Sequence, residues 1–301
     1  MAHRPHTVLP PALPGHREVI DTDAGRVSFY GSAEADGVPL LLVHSINAAA
    51  NAYEVRPLYT HYRGRRPVYA LDLPGYGFSE RAPRLYTPRT MADAIHAVAA
   101  AIRGRHGGAP LDAIALSLSA SYLARAAVER PQDYRGLGLI SPTGFDRRLA
   151  GRGPDGGVRG SARVRAIFDS RVLGRPLFAL LVSRPSMRFF LAKTFGSKRI
   201  DEGLFAYDYL SAHQPGARHA PSCFLSGLLF PTDATTLYEA LTQPVLMLHG
   251  TRGDFVDYRD APRFAERPNW RIESLPTGAF PHFEVLDAVT AHYDAFVAGL
   301  R

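Results

Sequence analysis

Residues 111–131, LDAIALSLSASYLARAAVERP, constrain the fold more than any other stretch of the chain. They open as an apolar, strand-like run at Ile114-Ala115-Leu116 and turn abruptly at Ser117-Leu118-Ser119-Ala120. They continue with helical spacing at Tyr122, Leu123, Ala126 and Ala127 until Pro131 stops the pattern. Ala115 stands two residues before Ser117 and Ser119 two after it, where a strand turning sharply into a helix leaves little room. This predicts a strand-to-helix elbow that holds the Ser117 hydroxyl at the end of a strand and aims the first N–H groups of the helix near it. The plainer alternative is a serine capping the helix, and Ser119 and Ser121 compete for the same reading.

Around this elbow, strand-like and helical runs alternate. Strands are expected at 17–22, 25–31, 39–45, 67–72, 137–142, 245–250 and 270–275. Helices are expected at 53–62, from Thr87 and Pro88 through Ile102, at 258–266 and at 283–300. Between Thr143 and Pro244 the pattern is short apolar helices only, at 164–173, 177–182, 187–195, 204–210 and 224–229. The expected class is α/β, a mostly parallel, doubly wound sheet with an inserted helical cap. The expected division is a loose Pro- and His-rich arm at 1–16, a core at 17–143 and 243–301, and a cap at 144–242.

Charge and cysteine content narrow the function classes. The formal charge is +7, but the arginines are scattered and Lys193 and Lys198 are the two lysines, so no basic stripe marks a nucleic-acid binder. One cysteine, Cys223, excludes an internal disulfide and argues against a cysteine-ligated zinc site. His213 and His219 flank a Pro-Gly turn without a third ligand, so no metal is expected. Gly151-Arg152-Gly153-Pro154-Asp155-Gly156 fits a dinucleotide-loop spacing, yet it does not join a strand to a helix and contains Pro154, so it reads as a cap hinge and no cofactor is expected. The basic, amphipathic run from Arg184 to Lys193 reads as a cap helix packed on the main domain rather than a membrane-surface helix. The N-terminus lacks the continuous apolar stretch of a signal peptide and no run is long enough to span a bilayer, so a cytoplasmic setting is the expectation.

Three local patterns, in order, carry a resemblance: a strand ending Val43-His44-Ser45-Ile46, the loop Asp72-Leu73-Pro74-Gly75-Tyr76-Gly77-Phe78-Ser79, and the elbow at Ser117. Over about residues 17–300 the chain resembles the α/β-hydrolase fold family, with a cap inserted after the sixth strand. The loop matches that family's Asp-x-Pro-Gly-x-Gly-x-Ser pattern at each fixed position. The resemblance implies a cofactor-free serine hydrolase. Ser117 would be the nucleophile, and the backbone N–H groups of Ile46 and Leu118 would form the oxyanion hole. His44 would be a strand-end residue bonded to its own loop.

The acid and base depart from the family pattern. The acid is expected three residues after Gly250, where Gly253 stands, with Asp254 one further on. The base is expected directly after Gly278, where Ala279 stands, with His282 at the second, ordinarily non-catalytic position. One reading makes Asp254 and His282 a displaced pair serving Ser117; the other has the triad lost, with Asp254 paired to Arg252 or capping a turn. Asp257 and Asp146 are further acid candidates. The aromatic and aliphatic residues of the cap imply a small hydrophobic ester or related acyl substrate. The rival is a protein that binds an apolar ligand or a partner without turnover.

Overall fold

Successive side chains on a strand point to opposite faces, and the central strands are apolar on both. The computed structural model describes residues 8–146, 152–170 and 172–300. Eight strands form one sheet: β1 (His16–Thr22), β2 (Gly25–Ser32), β3 (Leu40–Val43), β4 (Val68–Asp72), β5 (Leu111–Leu116), β6 (Tyr134–Ile140), β7 (Val245–Gly250) and β8 (Trp270–Leu275). Their order is β1-β2-β4-β3-β5-β6-β7-β8. β2 runs antiparallel to both its neighbours, and all pairings from β4 to β8 are parallel.

The helices are α1 (Arg56–Tyr62), α2 (Pro88–Arg105), α3 (Ser119–Glu129), α4 (Ala162–Asp169), α5 (Gly174–Leu181), α6 (Arg184–Phe195), α7 (Glu202–Ala212), α8 (His219–Leu225), α9 (Ala234–Ala240), α10 (Ala261–Ala265), α11 (Pro281–Glu284) and α12 (Leu286–Ala298). On one face, Val43, Leu71, Ala113, Ala115, Leu139 and Met247 share a core with α2 and α3. On the other, Leu42, Ile114, Leu116, Ile140 and Leu248 share a core with α1 and α12. The small side chains of Ala113 and Ala115 fall on the α3 face, and that is why a helix can turn back so closely over β5.

Several expectations shift by physical causes. The helix expected at 224–229 is α8, lying earlier and followed by Gly227 at φ 79°. The helix expected at 283–300 is two, α11 and α12, broken at Val285 (φ −139°). The helix α9 was not expected at all. Residues 8–15 are not loose: Leu9, Ala12 and Leu13 are buried, the Ala12 N–H donates to the Tyr30 hydroxyl at 3.0 Å, and the Tyr207 hydroxyl donates to the Pro10 carbonyl at 2.7 Å. Residues 1–7 of the expected arm, and Gly151 of the glycine run, lie outside the described residues. The rest of that run is tied down, with Gly153 donating to the Thr232 carbonyl and Thr232 to the Gly157 carbonyl. Helix α6 does pack inward, through Met187, Leu191 and Phe195, while Phe189 and Phe190 on its other side are exposed. No helix among the described residues is long and apolar enough to cross a membrane.

Candidate active site

The elbow forms where it was expected. Ser117 has φ 51°, the left-handed region that costs a residue with a side chain roughly 1–2 kcal/mol. The turn is held by its N–H, which donates to the Ile140 carbonyl on β6 at 2.8 Å, and by its carbonyl, which accepts from the Ala120 N–H at 3.1 Å. The capping alternative fails, because the N-cap of α3 is Leu118 and no side chain caps it. Ser119 and Ser121 are both buried, and the Ser121 hydroxyl donates to the Leu118 carbonyl. Ser117 alone of the three lines a cavity, about 250 Å³, whose walls include Leu118, Asp254, Phe255, Tyr258 and Ala279. Its hydroxyl makes no hydrogen bond among the described residues.

The loop 72–79 is built around its own aspartate. The Asp72 carboxylate accepts from the Ala52 N–H and the Phe78 N–H, each at 2.9 Å, and burial pushes its pKa up to about 6. Gly77 sits at φ 49°, and a Cβ there would lie 1.9 Å from Asp72 Oδ1, so the motif's second glycine is required by the aspartate itself. The Ser79 hydroxyl donates to the Asp72 carbonyl and accepts from the Ser28 N–H, tying the loop to β2.

His44 is a loop residue in this structure too. Its Nδ1–H donates to the Ser45 carbonyl at 2.6 Å, its Nε2 accepts from the Leu73 N–H at 2.9 Å, and burial pushes its pKa down to about 4. The N–H groups of Ile46 and Leu118 donate to no acceptor among the described residues; Leu118 lines the Ser117 cavity, whereas Ile46 is buried and is not among its walls.

The acid and base candidates are not brought together. The His282 ring is fully buried; its Nε2–H donates to the Glu54 carbonyl at 2.7 Å, and its Nδ1 has no partner among the described residues. Burial pushes its pKa down to about 4. Asp254 does line the Ser117 cavity, but its carboxylate is 53% exposed and forms an ion pair with Lys193. Asp254 and His282 therefore make no hydrogen bond to each other, and the wall of the Ser117 cavity at the base loop is Ala279, not His282. The displaced Asp254–His282 pair expected from the sequence is not formed in this structure. Nor is the pairing of Asp254 with Arg252, which instead pairs with Glu284. Asp257 and Asp146 also line the cavity, and Asp257 is ion-paired with Arg259, which holds its carboxyl down to about 2.

The cause is visible in the end of α6, which is pressed onto both loops. The Ala279 N–H donates to the Thr194 carbonyl at 2.7 Å, and the Arg252 guanidinium donates to the Phe195 carbonyl at 3.3 and 3.1 Å. Gly253 has φ 100°, and a Cβ on it would stand 2.8 Å from the Lys193 carbonyl oxygen and 2.9 Å from Gly196 Cα. An aspartate cannot occupy the family's acid position in this loop without moving the cap helix.

Sequence reasoning missed Glu54. Fully buried just before α1, it accepts from the Ser45 N–H and the Asn47 side-chain amide, each at 2.7 Å, and so fixes the loop that carries Ile46. Burial pushes its pKa up to about 7. The signal was an acid among small residues in AAANAYEV, flanked by Asn47 and Asn51, both of which turn out to donate to buried carboxyls.

Comparison with known proteins gives the same frame. A family model described as the alpha/beta hydrolase family matches residues 40–292. Among solved structures, a serine hydrolase involved in carbazole degradation superposes with TM-score 0.73 at 14% identity, over 94% of this chain and 98% of that one. A thermophilic esterase from Thermogutta terrifontis gives 0.69 at 18%, over 94% and 98%. A membrane phospholipase A described as a bacterial virulence factor gives 0.67 at 21%, over 94% and 86%. At these identities the shared property is the fold. No curated protein matches the sequence. With the family model covering most of the chain, and the strand order and elbow in place, the chain belongs to the alpha/beta hydrolase family.

Proposed function

We propose that the protein is a serine hydrolase of a small hydrophobic ester or related acyl compound, acylated at Ser117. The observation that carries the reading is the strained φ of Ser117, which presents an unbonded hydroxyl to a cavity. Strain of this kind persists where the surrounding structure enforces it, and it accompanies function. Ser117 Oγ would attack the acyl carbon, and the N–H groups of Ile46 and Leu118 would receive the charge on the carbonyl oxygen. The alcohol or thiol would leave and water would then release the acid. With no imidazole bonded to Ser117, the hydroxyl proton would pass by way of solvent to the departing alkoxide or thiolate. A positioned base contributes about 10² to 10⁴ in rate, so turnover is slow and favours activated esters.

The His282–Glu54 bond favours a second reading, in which the cavity binds an apolar ligand without turnover. A fluorophosphonate probe separates the two. Covalent labelling at Ser117 by mass spectrometry, lost in Ser117→Ala, is the expected result; a protein that binds an apolar ester but is never labelled is a binder only.

A further inference from the structure

Two buried carboxyl groups, Asp208 on the cap helix α7 and Glu54 just before α1, have no cationic partner among the described residues. Asp208, on α7, is 4% exposed and accepts one hydrogen bond, from the Asn51 side-chain amide to Oδ1 at 2.9 Å. Its second oxygen is bonded to nothing among the described residues. Glu54 is buried nearby, close enough that its charge acts on Asp208, and neither acid has a Lys, Arg or His partner among the described residues. Burial first, and Glu54 second, push the Asp208 carboxyl well above the usual carboxylate range. Two adjoining buried acids cannot both ionise without a counter-charge.

Asp208 lines a second cavity of about 300 Å³, distinct from the Ser117 cavity, with walls formed by Leu181, Met187, Leu191, Phe224, Phe255 and Phe280. The other polar groups on its wall are occupied. The Asn47 amide donates to Ser45 Oγ and Glu54 Oε1 and accepts from the Ala49 N–H, and the Thr194 hydroxyl donates to the Phe190 carbonyl. The cavity thus offers an apolar, aromatic body with one ionisable oxygen.

The geometry points to this cavity as a binding site for a small hydrophobic amine, whose ammonium group donates to the free oxygen of Asp208 while its apolar part fills the Phe- and Leu-lined space. The ammonium supplies the counter-charge that the two acids lack, and aromatic walls tolerate a cation in a way aliphatic ones do not. Phe255 lines both cavities, so the amine site adjoins the Ser117 pocket at that ring. The site goes beyond the acyl chemistry proposed for Ser117, and binding can be read with no turnover.

The test is calorimetric titration of the full chain with phenethylamine and, separately, with 2-phenylethanol, its neutral isostere. The amine is expected to bind at least about tenfold more tightly, about 1.4 kcal/mol. Asp208→Asn is expected to erase that preference. Ala48→Phe, at a half-buried loop position on the cavity wall, is expected to abolish binding of both, and serves if the Asp208 variant fails to fold. Equal or tighter binding of the alcohol, an amine preference that survives Asp208→Asn, or amine binding that survives Ala48→Phe overturns the proposal.

Discussion

Replacing Ala279 with histidine is expected to raise kcat/KM for an activated ester by about a hundredfold. Ala279 lines the cavity that holds Ser117 and stands at the family's base position, while His282, three residues on, is committed to the Glu54 carbonyl. On the proposed reading the scaffold otherwise carries what acyl transfer uses: a strained serine, with the N–H groups of Ile46 and Leu118 bonded to no acceptor among the described residues. What is missing is a proton acceptor, and a positioned imidazole supplies about 10² to 10⁴. The lower end is expected because Asp254 is ion-paired with Lys193 and does not orient the new ring. Adding Lys193→Ala to Ala279→His frees that carboxylate and should raise the rate further. The gain must vanish when Ser117→Ala is combined with Ala279→His. The larger side chain costs about 1–3 kcal/mol in a tightly packed loop, so the comparison belongs well below the variant's unfolding temperature. No gain in a folded variant would mean that Ser117 is not placed for attack.

The second large effect is on stability. His282 is buried neutral, its pKa pushed down to about 4 from an ordinary value near 6.5. The unfolded chain binds the proton more readily than the folded one. The histidine's contribution is therefore intact above pH 6.5 and is lost as the pH falls from 6.5 toward 4. At about 1.4 kcal/mol per tenfold change in proton affinity, the loss approaches about 3 kcal/mol. His44 acts in the same direction. Glu54 and Asp72, whose pKa values burial raises, act in the opposite one, losing stability as the pH rises through about 7 and about 6. The wild-type profile mixes these terms, so the difference between wild type and His282→Gln isolates the histidine. Glutamine keeps an N–H donor for the Glu54 carbonyl. Urea unfolding at pH 7 and at pH 4.5 should show the wild type losing stability relative to the variant as the pH drops. A constant difference would mean that His282 is not buried neutral.

The parts legible in the sequence are those whose causes are local. The ends of β7 are legible because a continuous apolar run is bounded by turns, and those of β8 because apolar Trp270, Ile272 and Leu275 are spaced among polar residues between turn signals. β6 begins three residues before the strand expected at 137–142, since Gly136 and Gly138 break the apolar pattern. They are glycines for a tertiary reason: a Cβ on Gly138 would meet Ile114 at 2.8 Å and one on Gly136 would meet Leu300 at 2.5 Å. The elbow was legible because Ala115, Ser117 and Ser119 mark a backbone constraint within five residues. The triad was not, because the decisive contacts are long-range. His282 reaches Glu54 across 228 residues, and Lys193 reaches Asp254 across 61. The Gly253 and Ala279 departures did register that both loops are remodelled. What they could not show is the shared cause, the end of α6 docked on the two loops. Asp208 was hidden for the same reason, as its partners Asn51 and Glu54 lie far back in the core.

The central claim is that Ser117 is a mounted nucleophile that works without an imidazole in contact. The most direct measurement is the rate constant for acylation of Ser117 by p-nitrophenyl acetate, followed by mass spectrometry in wild type, His282→Gln and Ser117→Ala at pH 8. The account predicts acylation at Ser117 in the wild type and in His282→Gln at rates within about threefold of each other, and none in Ser117→Ala. A loss of about a hundredfold or more in His282→Gln, the size of a missing general base, would contradict it, as would a wild type that is not acylated at all.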